Sequence, residues 1–75
     1  MSDRTLAEVN VGEDAVVKSI SGDGALKQRI MAMGIIKGVS LHVEKVAPLG
    51  DPIQVTVRGY QLSIRKKDAA IIHVN

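Results

Sequence analysis

Histidine, methionine and the carboxylates are the side chains in this sequence with donor chemistry for a metal ion, and the histidines are few. His42 and His73 are the two histidines of the chain. In an extended segment His42 and Glu44 share a face at i and i+2, so the pair could reach one divalent ion. Two ligands make a weak site, and no spacing supplies a third. The sequence therefore names no metal ligand and no cofactor, and leaves at most weak transition-metal binding. Met31 and Met33 offer soft thioether sulfur, suited to Cu(I) rather than to a hard ion, and Met33 reads more simply as core. Cysteine is absent, which removes thiolate nucleophiles, Cys-based zinc sites and disulfides. No Ser/His/acid order is recognisable, and the carboxylates are scattered. The expectation is a protein that is not an enzyme, with no catalytic residue.

Cationic side chains are the next candidates. Ten Lys and Arg against eight Asp and Glu give a formal charge of +2, too little to argue for a nucleic-acid partner. Arg58, Arg65, Lys66 and Lys67 nevertheless form a positive run, and a small barrel could bind RNA or DNA along such an edge. Binders of single strands pair cations with stacking aromatics, whereas Tyr60 is the sole aromatic residue. The run reads better as a solvated edge that discourages strand-to-strand association. Nucleic acid is thus the alternative partner. Ser21-Gly-Asp-Gly24 puts two glycines before a helix, but lacks the Gly-Lys-Ser/Thr ending of a phosphate loop and reads as a connector.

The elements that must position these residues are short. The clearest is a helix beginning after Asp23, whose carboxylate is placed to cap the first turn. Leu26, Ile30 and Met33 fall at i, i+4 and i+7, a narrow apolar stripe. Met31 lies off that stripe and should be exposed. Gly34 is the expected stop, held at positive φ, with Ile35 packing back on Ile30. Thr5-Leu-Ala-Glu8 fits a capping box for one turn, anchored by Leu6 and Val9 and ended by Gly12.

Ala15–Ile20 reads as a strand with apolar residues on both faces, which leaves its inward set open. In 39–46, Val39, Leu41 and Val43 point inward, while Ser40, His42 and Glu44 point outward. Val46 breaks this alternation, so a bulge is expected near Glu44–Lys45. Strand pairing should lapse in Ala47-Pro-Leu-Gly-Asp-Pro52. It resumes with Ile53, Val55 and Val57 inward up to Arg58. Gly59 marks a tight turn, and Tyr60, Leu62 and Ile64 continue the inward series. Lys66–Ala69 reads as a single helical turn, and Ile71–Val74 as a last strand with Ile72 and Val74 inside.

Five short strands with one short inserted helix predict a mostly β protein, a small SH3-like barrel. The 75 residues fit one domain over 1–75, and a core this small favours a closed barrel over a cleft enzyme. No apolar run approaches the roughly 20 residues that span a bilayer. Met-Ser-Asp-Arg-Thr lacks the apolar stretch of a signal peptide, so the expected location is the cytoplasm.

Three segments carry a resemblance to a known family. They are Arg29-Ile-Met-Ala-Met-Gly-Ile-Ile-Lys-Gly38, Ala47-Pro-Leu-Gly-Asp-Pro52 and Arg58-Gly-Tyr-Gln-Leu-Ser-Ile-Arg-Lys-Lys-Asp-Ala69. In this order and spacing the chain resembles the FeoA family, small cytosolic accessory proteins of bacterial ferrous iron uptake. Departures are mild: Ile30 and Met33 stand where Leu is usual, and Asp68 where Glu is common. The resemblance implies an SH3-like barrel that acts by protein–protein interaction with FeoB, a membrane transporter with a cytosolic GTP-binding domain. Work at the inner face of the membrane, without insertion, follows from the same implication.

The surface expected to meet a partner is the loop Ala47, Pro48, Leu49, Gly50, Asp51 and Pro52. Loops carry function more often than core strands, and two prolines limit the freedom lost when a partner docks. Leu49 at its middle either folds onto the core or waits for a partner. Met31 is a candidate neighbour of the same patch. Asp23, Leu26, Ile30, Met33, Gly34, Gly38 and Gly59 are read as structural.

Overall fold

A computed structural model describes residues 4–75. Among these, the chain runs β1 (Arg4–Thr5), a 3-10 turn (Leu6–Glu8), β2 (Asp14–Ile20), α1 (Gly24–Ala32), β3 (Ser40–Val46), β4 (Ile53–Val57), β5 (Tyr60–Ile64), α2 (Lys66–Ala69) and β6 (Ile72–Val74). The strands form one antiparallel sheet in the order β1-β6-β2-β3-β4-β5. Six strands stand where five were expected. The addition is β1, whose two residues pair with His73 and Val74 of β6 and are too short to show any periodicity.

Two bulges curl the sheet into a barrel. β2 pairs with β3 over Asp14–Val16, then shifts register after Val17 and pairs with β6 through Ile20. One strand thereby serves two sides of the barrel. The second shift lies in β3 between Val43 and Lys45, where an extra residue bends the strand and increases its twist. It is the bulge that Val46 signals in the sequence.

Alternation decides which side chains fill the interior. Leu41, Val43, Ile53, Val55, Val57 and Ile64 are fully or almost fully buried, together with Ile72 and Val74. Ala15 and Val17 settle the open question in β2: they are buried, whereas Val16 is exposed. The core is aliphatic throughout, and Leu6, Ile30 and Ala69 from the helical segments, with Ile35 just after α1, plug it.

The helix sits differently from its sequence pattern in two respects. Of the stripe, Ile30 is fully buried, while Leu26 and Met33 pack half-buried against the core. Asp23 occupies the N-cap position with extended backbone, but its carboxylate makes no capping hydrogen bond. The first turn is closed by the Asp23 carbonyl, which accepts from Lys27 N–H. At the other end Gly34 has φ +92° and donates its N–H to Met31 O at 2.9 Å. Near the N-terminus, Glu8 Oε1 accepts from Thr5 N–H at 2.8 Å. That 3-10 turn ends at Val9, before Gly12, which belongs to the turn into β2.

The β4–β5 hairpin turns on two residues. Arg58 and Gly59 have φ +50° and +86°, the positive pair that two-residue hairpins require to match strand twist. Tyr60 follows it, and it is not inward. It is 43% exposed, because a phenol hydroxyl needs a partner that the aliphatic interior cannot offer.

Candidate functional site

The three segments that stand out in the sequence interlock in space. Tyr60 donates its hydroxyl hydrogen to Met33 O at 2.6 Å, joining the hairpin to the end of α1. A Cβ built on Gly34 would overlap that hydroxyl, so Gly34 both permits positive φ and leaves room for Tyr60. Arg29 Nη2 lies 3.4 Å from Asp68 Oδ2, tying α1 to α2. Asp68 is 7% exposed, and a carboxylate that deep needs such a cation. Asp51 Oδ1 accepts from Lys66 N–H at 2.9 Å, so the loop caps the first turn of α2. None of these contacts can be read from local periodicity, since each joins residues far apart in the chain.

The loop 47–52 is built by its backbone. Gly50 N–H donates to Ala47 O at 2.7 Å, and Ala47 N–H donates to Pro52 O at 3.1 Å. Pairing between β3 and β4 therefore carries one step further than the prolines suggested. The Asp51–Pro52 peptide is cis. This closed turn holds Leu49 out in solvent, 96% exposed, rather than folded onto the barrel end. Beside it, Asp51, Pro52, Arg65 and Lys67 line an open hollow of about 480 Å³. Met31 is 43% exposed but lies in another hollow, with Lys18, Ser19, Ile20, Lys27, Ile36 and Lys37. The two hollows share no lining residue.

The cationic run is divided by the strand within it. Arg58 belongs to the hairpin turn and Arg65 follows the far end of β5. The strand β5, Tyr60–Ile64, lies between them and spans roughly 15 Å. Arg65 and Lys67 gather at the Asp51–Pro52 hollow instead.

His42 and Glu44 are engaged by different neighbours. His42 Nδ1 lies 2.5 Å from Asp14 Oδ1, its cross-strand partner in β2. This hydrogen bond raises the His42 pKa above the ordinary imidazole value. Glu44 Oε2 accepts from the Thr56 hydroxyl at 2.6 Å, an approach set by the bulge. His73 Nε2 lies 3.0 Å from Ser21 Oγ. Among the described residues no group of three or more His, Cys, Asp or Glu is arranged to hold a metal ion.

The model of the FeoA domain matches residues 4–75. The chain belongs to the FeoA family. Over 69 residues it is 38% identical to the Fe(2+) transport protein A/Fe(2+) transporter FeoB fusion protein of Porphyromonas gingivalis, a match covering 92% of this chain and 8% of that protein. The structure of a FeoA-like protein from Clostridium acetobutylicum is 38% identical, with a TM-score of 0.91 over 100% of this chain and 88% of the other. A zinc complex of FeoA from Stenotrophomonas maltophilia, described as a prokaryotic SH3 domain protein, is 26% identical with a TM-score of 0.82, covering 96% of this chain and 89% of the other. The barrel is thus SH3-like, and the family is linked to ferrous iron transport. Among the described residues, no helix is long and apolar enough to cross a membrane.

Proposed function

We propose that this protein is an accessory module of bacterial ferrous iron uptake that docks on the cytosolic part of a FeoB-type transporter, working in the cytoplasm at the inner face of the membrane. The observation that carries this reading is the P. gingivalis relative, in which FeoA and FeoB units share one chain. Covalent linkage turns their encounter into an intramolecular event at high effective concentration. A role in binding rather than chemistry also suits a barrel whose interior is filled by aliphatic side chains.

The docking surface in this proposal is Ala47–Pro52 with its neighbours Arg65 and Lys67. Leu49 is the apolar anchor, held out by a closed turn, so little entropy is lost when it is buried. The flanking cations favour a partner pocket with acidic groups at its rim. Calorimetry between this protein and the purified cytosolic part of a FeoB-type transporter tests the proposal. Leu49→Ala should weaken binding about tenfold, or roughly 1.4 kcal/mol. No binding by the unaltered protein would overturn the function. Unchanged binding by Leu49→Ala would overturn the surface alone.

A further inference from the structure

The hollow around Met31 lies between the second half of β2, α1 and the segment that leads from α1 to β3. β3 pairs with β2 over Asp14–Val16, and Val17 N–H then donates to Val39 O at 2.9 Å. Gly38 N–H donates in turn to Val17 O at 2.8 Å, just before β3 begins at Ser40. Lys18, Ser19 and Ile20 of β2, Lys27 and Met31 of α1, and Ile36 and Lys37 enclose a hollow of about 300 Å³. Ile20 and Ile36 form an apolar floor, half-buried against the core. Met31 supplies one wall from a position off the buried stripe of α1. Lys27 and Lys37 come from different elements to the same rim, both exposed. The lining holds no carboxylate among the described residues.

We propose that this hollow is a docking site for an acidic peptide segment of a protein partner, which inserts one long apolar side chain between Met31, Ile20 and Ile36. Shape and charge both point that way. A concave apolar site must be filled by something that protrudes, whereas a bilayer surface is met by a protruding anchor. About 300 Å³ lies at the bottom of the range for ligand pockets, enough for one large side chain but small for a cofactor. The flexible thioether of Met31 adapts to anchors of different shape. Lys27 and Lys37 can keep their stems on the apolar wall while their ammonium groups reach carboxylates beside the anchor. This site is separate from the 47–52 loop and does not depend on the transporter reading.

The test is selection of a random peptide library displayed on phage against the full protein, followed by affinity and amide-shift measurements on the enriched peptides. The expected consensus is one Leu, Ile, Met or Phe flanked by Asp or Glu. Shift changes should fall at 18–20, 31 and 36–37 and spare 47–52. Binding should drop about tenfold or more in Met31→Glu and in the double variant Lys27→Glu/Lys37→Glu, and should weaken with added salt. The lysine variant alters exposed side chains, so a thermal melt will confirm that it remains folded. No enriched binder, a neutral or basic consensus, or affinity that survives both variants would overturn the proposal. Sedimentation with phosphatidylglycerol vesicles that is lost in Met31→Glu would also overturn it, in favour of a lipid surface.

Discussion

Replacing Gly34 by alanine should cost more than a helix stop ordinarily does. The backbone contribution comes from φ +92°, where a Cβ meets the neighbouring carbonyl and loses roughly 1–2 kcal/mol. The second contribution comes from Tyr60. Its hydroxyl occupies the space the new Cβ would take, so it must leave Met33 O, at a cost of about 1 kcal/mol for the lost hydrogen bond. Together these give about 2–3 kcal/mol, or a fall in Tm of roughly 10–20 °C for a domain this small. Tyr60→Phe alone should cost about 1 kcal/mol. In the Tyr60→Phe background no hydroxyl stands in the way, so Gly34→Ala should lose only the backbone part. The double-mutant cycle should therefore show a coupling of about 1 kcal/mol. Urea unfolding followed by far-ultraviolet circular dichroism gives the four stabilities. Equal costs of Gly34→Ala in both backgrounds would refute the steric argument. A cost below about 0.5 kcal/mol would refute the backbone argument as well.

Asp51→Ala should remove the cap on Lys66 N–H and destabilise by about 1 kcal/mol, visible in the urea midpoint and as faster hydrogen exchange in α2. Arg29→Ala should destabilise by about 1 kcal/mol, because it leaves the buried Asp68 carboxylate without its cation. Asp68→Asn should relieve most of that cost, and failure to do so would mean that the pair is incidental. Leu49→Ala should leave stability within about 0.5 kcal/mol, since its side chain is 96% exposed; a larger loss would show that Leu49 packs on the barrel in solution. The imidazole of His42 should titrate above the ordinary histidine value by NMR, and Asp14→Asn should bring the midpoint back down. A pKa raised in the folded state means that this contribution to stability is fully present below the ordinary value. It is lost as pH rises through the folded midpoint, and the reverse dependence would contradict the assigned hydrogen bond.

Local pattern carried most of the barrel. Ile53, Val55 and Val57 alternate without interruption and lie inside, because period-two spacing places alternate side chains on one face. Val46 breaks the period, and a register shift lies beside it in β3, since one extra residue in a strand changes both at once. Gly59 could be placed at a turn because positive φ is cheap for glycine, whereas Arg58, read as the end of the strand, shares that turn with φ +50°. Tyr60 shows where such reasoning stops. The same alternation assigns it inward, yet its hydroxyl must find an acceptor, and the acceptor is the Met33 carbonyl at the end of a helix 27 residues earlier. A two-residue strand such as β1 has no period to read and exists because β6 arrives beside it. Ala15 and Val17 rather than Val16 face inward because β2 must serve β3 and β6 in turn. The surroundings of the candidate surface residues depend on tertiary structure in the same way. The helical period placed Met31 off the buried stripe, whereas Leu49 could equally have folded onto the core; only the path of the chain put Leu49 on a closed turn beside Arg65 and Lys67, and Met31 in a lysine-rimmed hollow. Side-chain period is a property of neighbours along the chain. Which distant carbonyl, carboxylate or cation a side chain meets depends on how strands are ordered in the sheet, and that order is set by the burial of the whole aliphatic core at once.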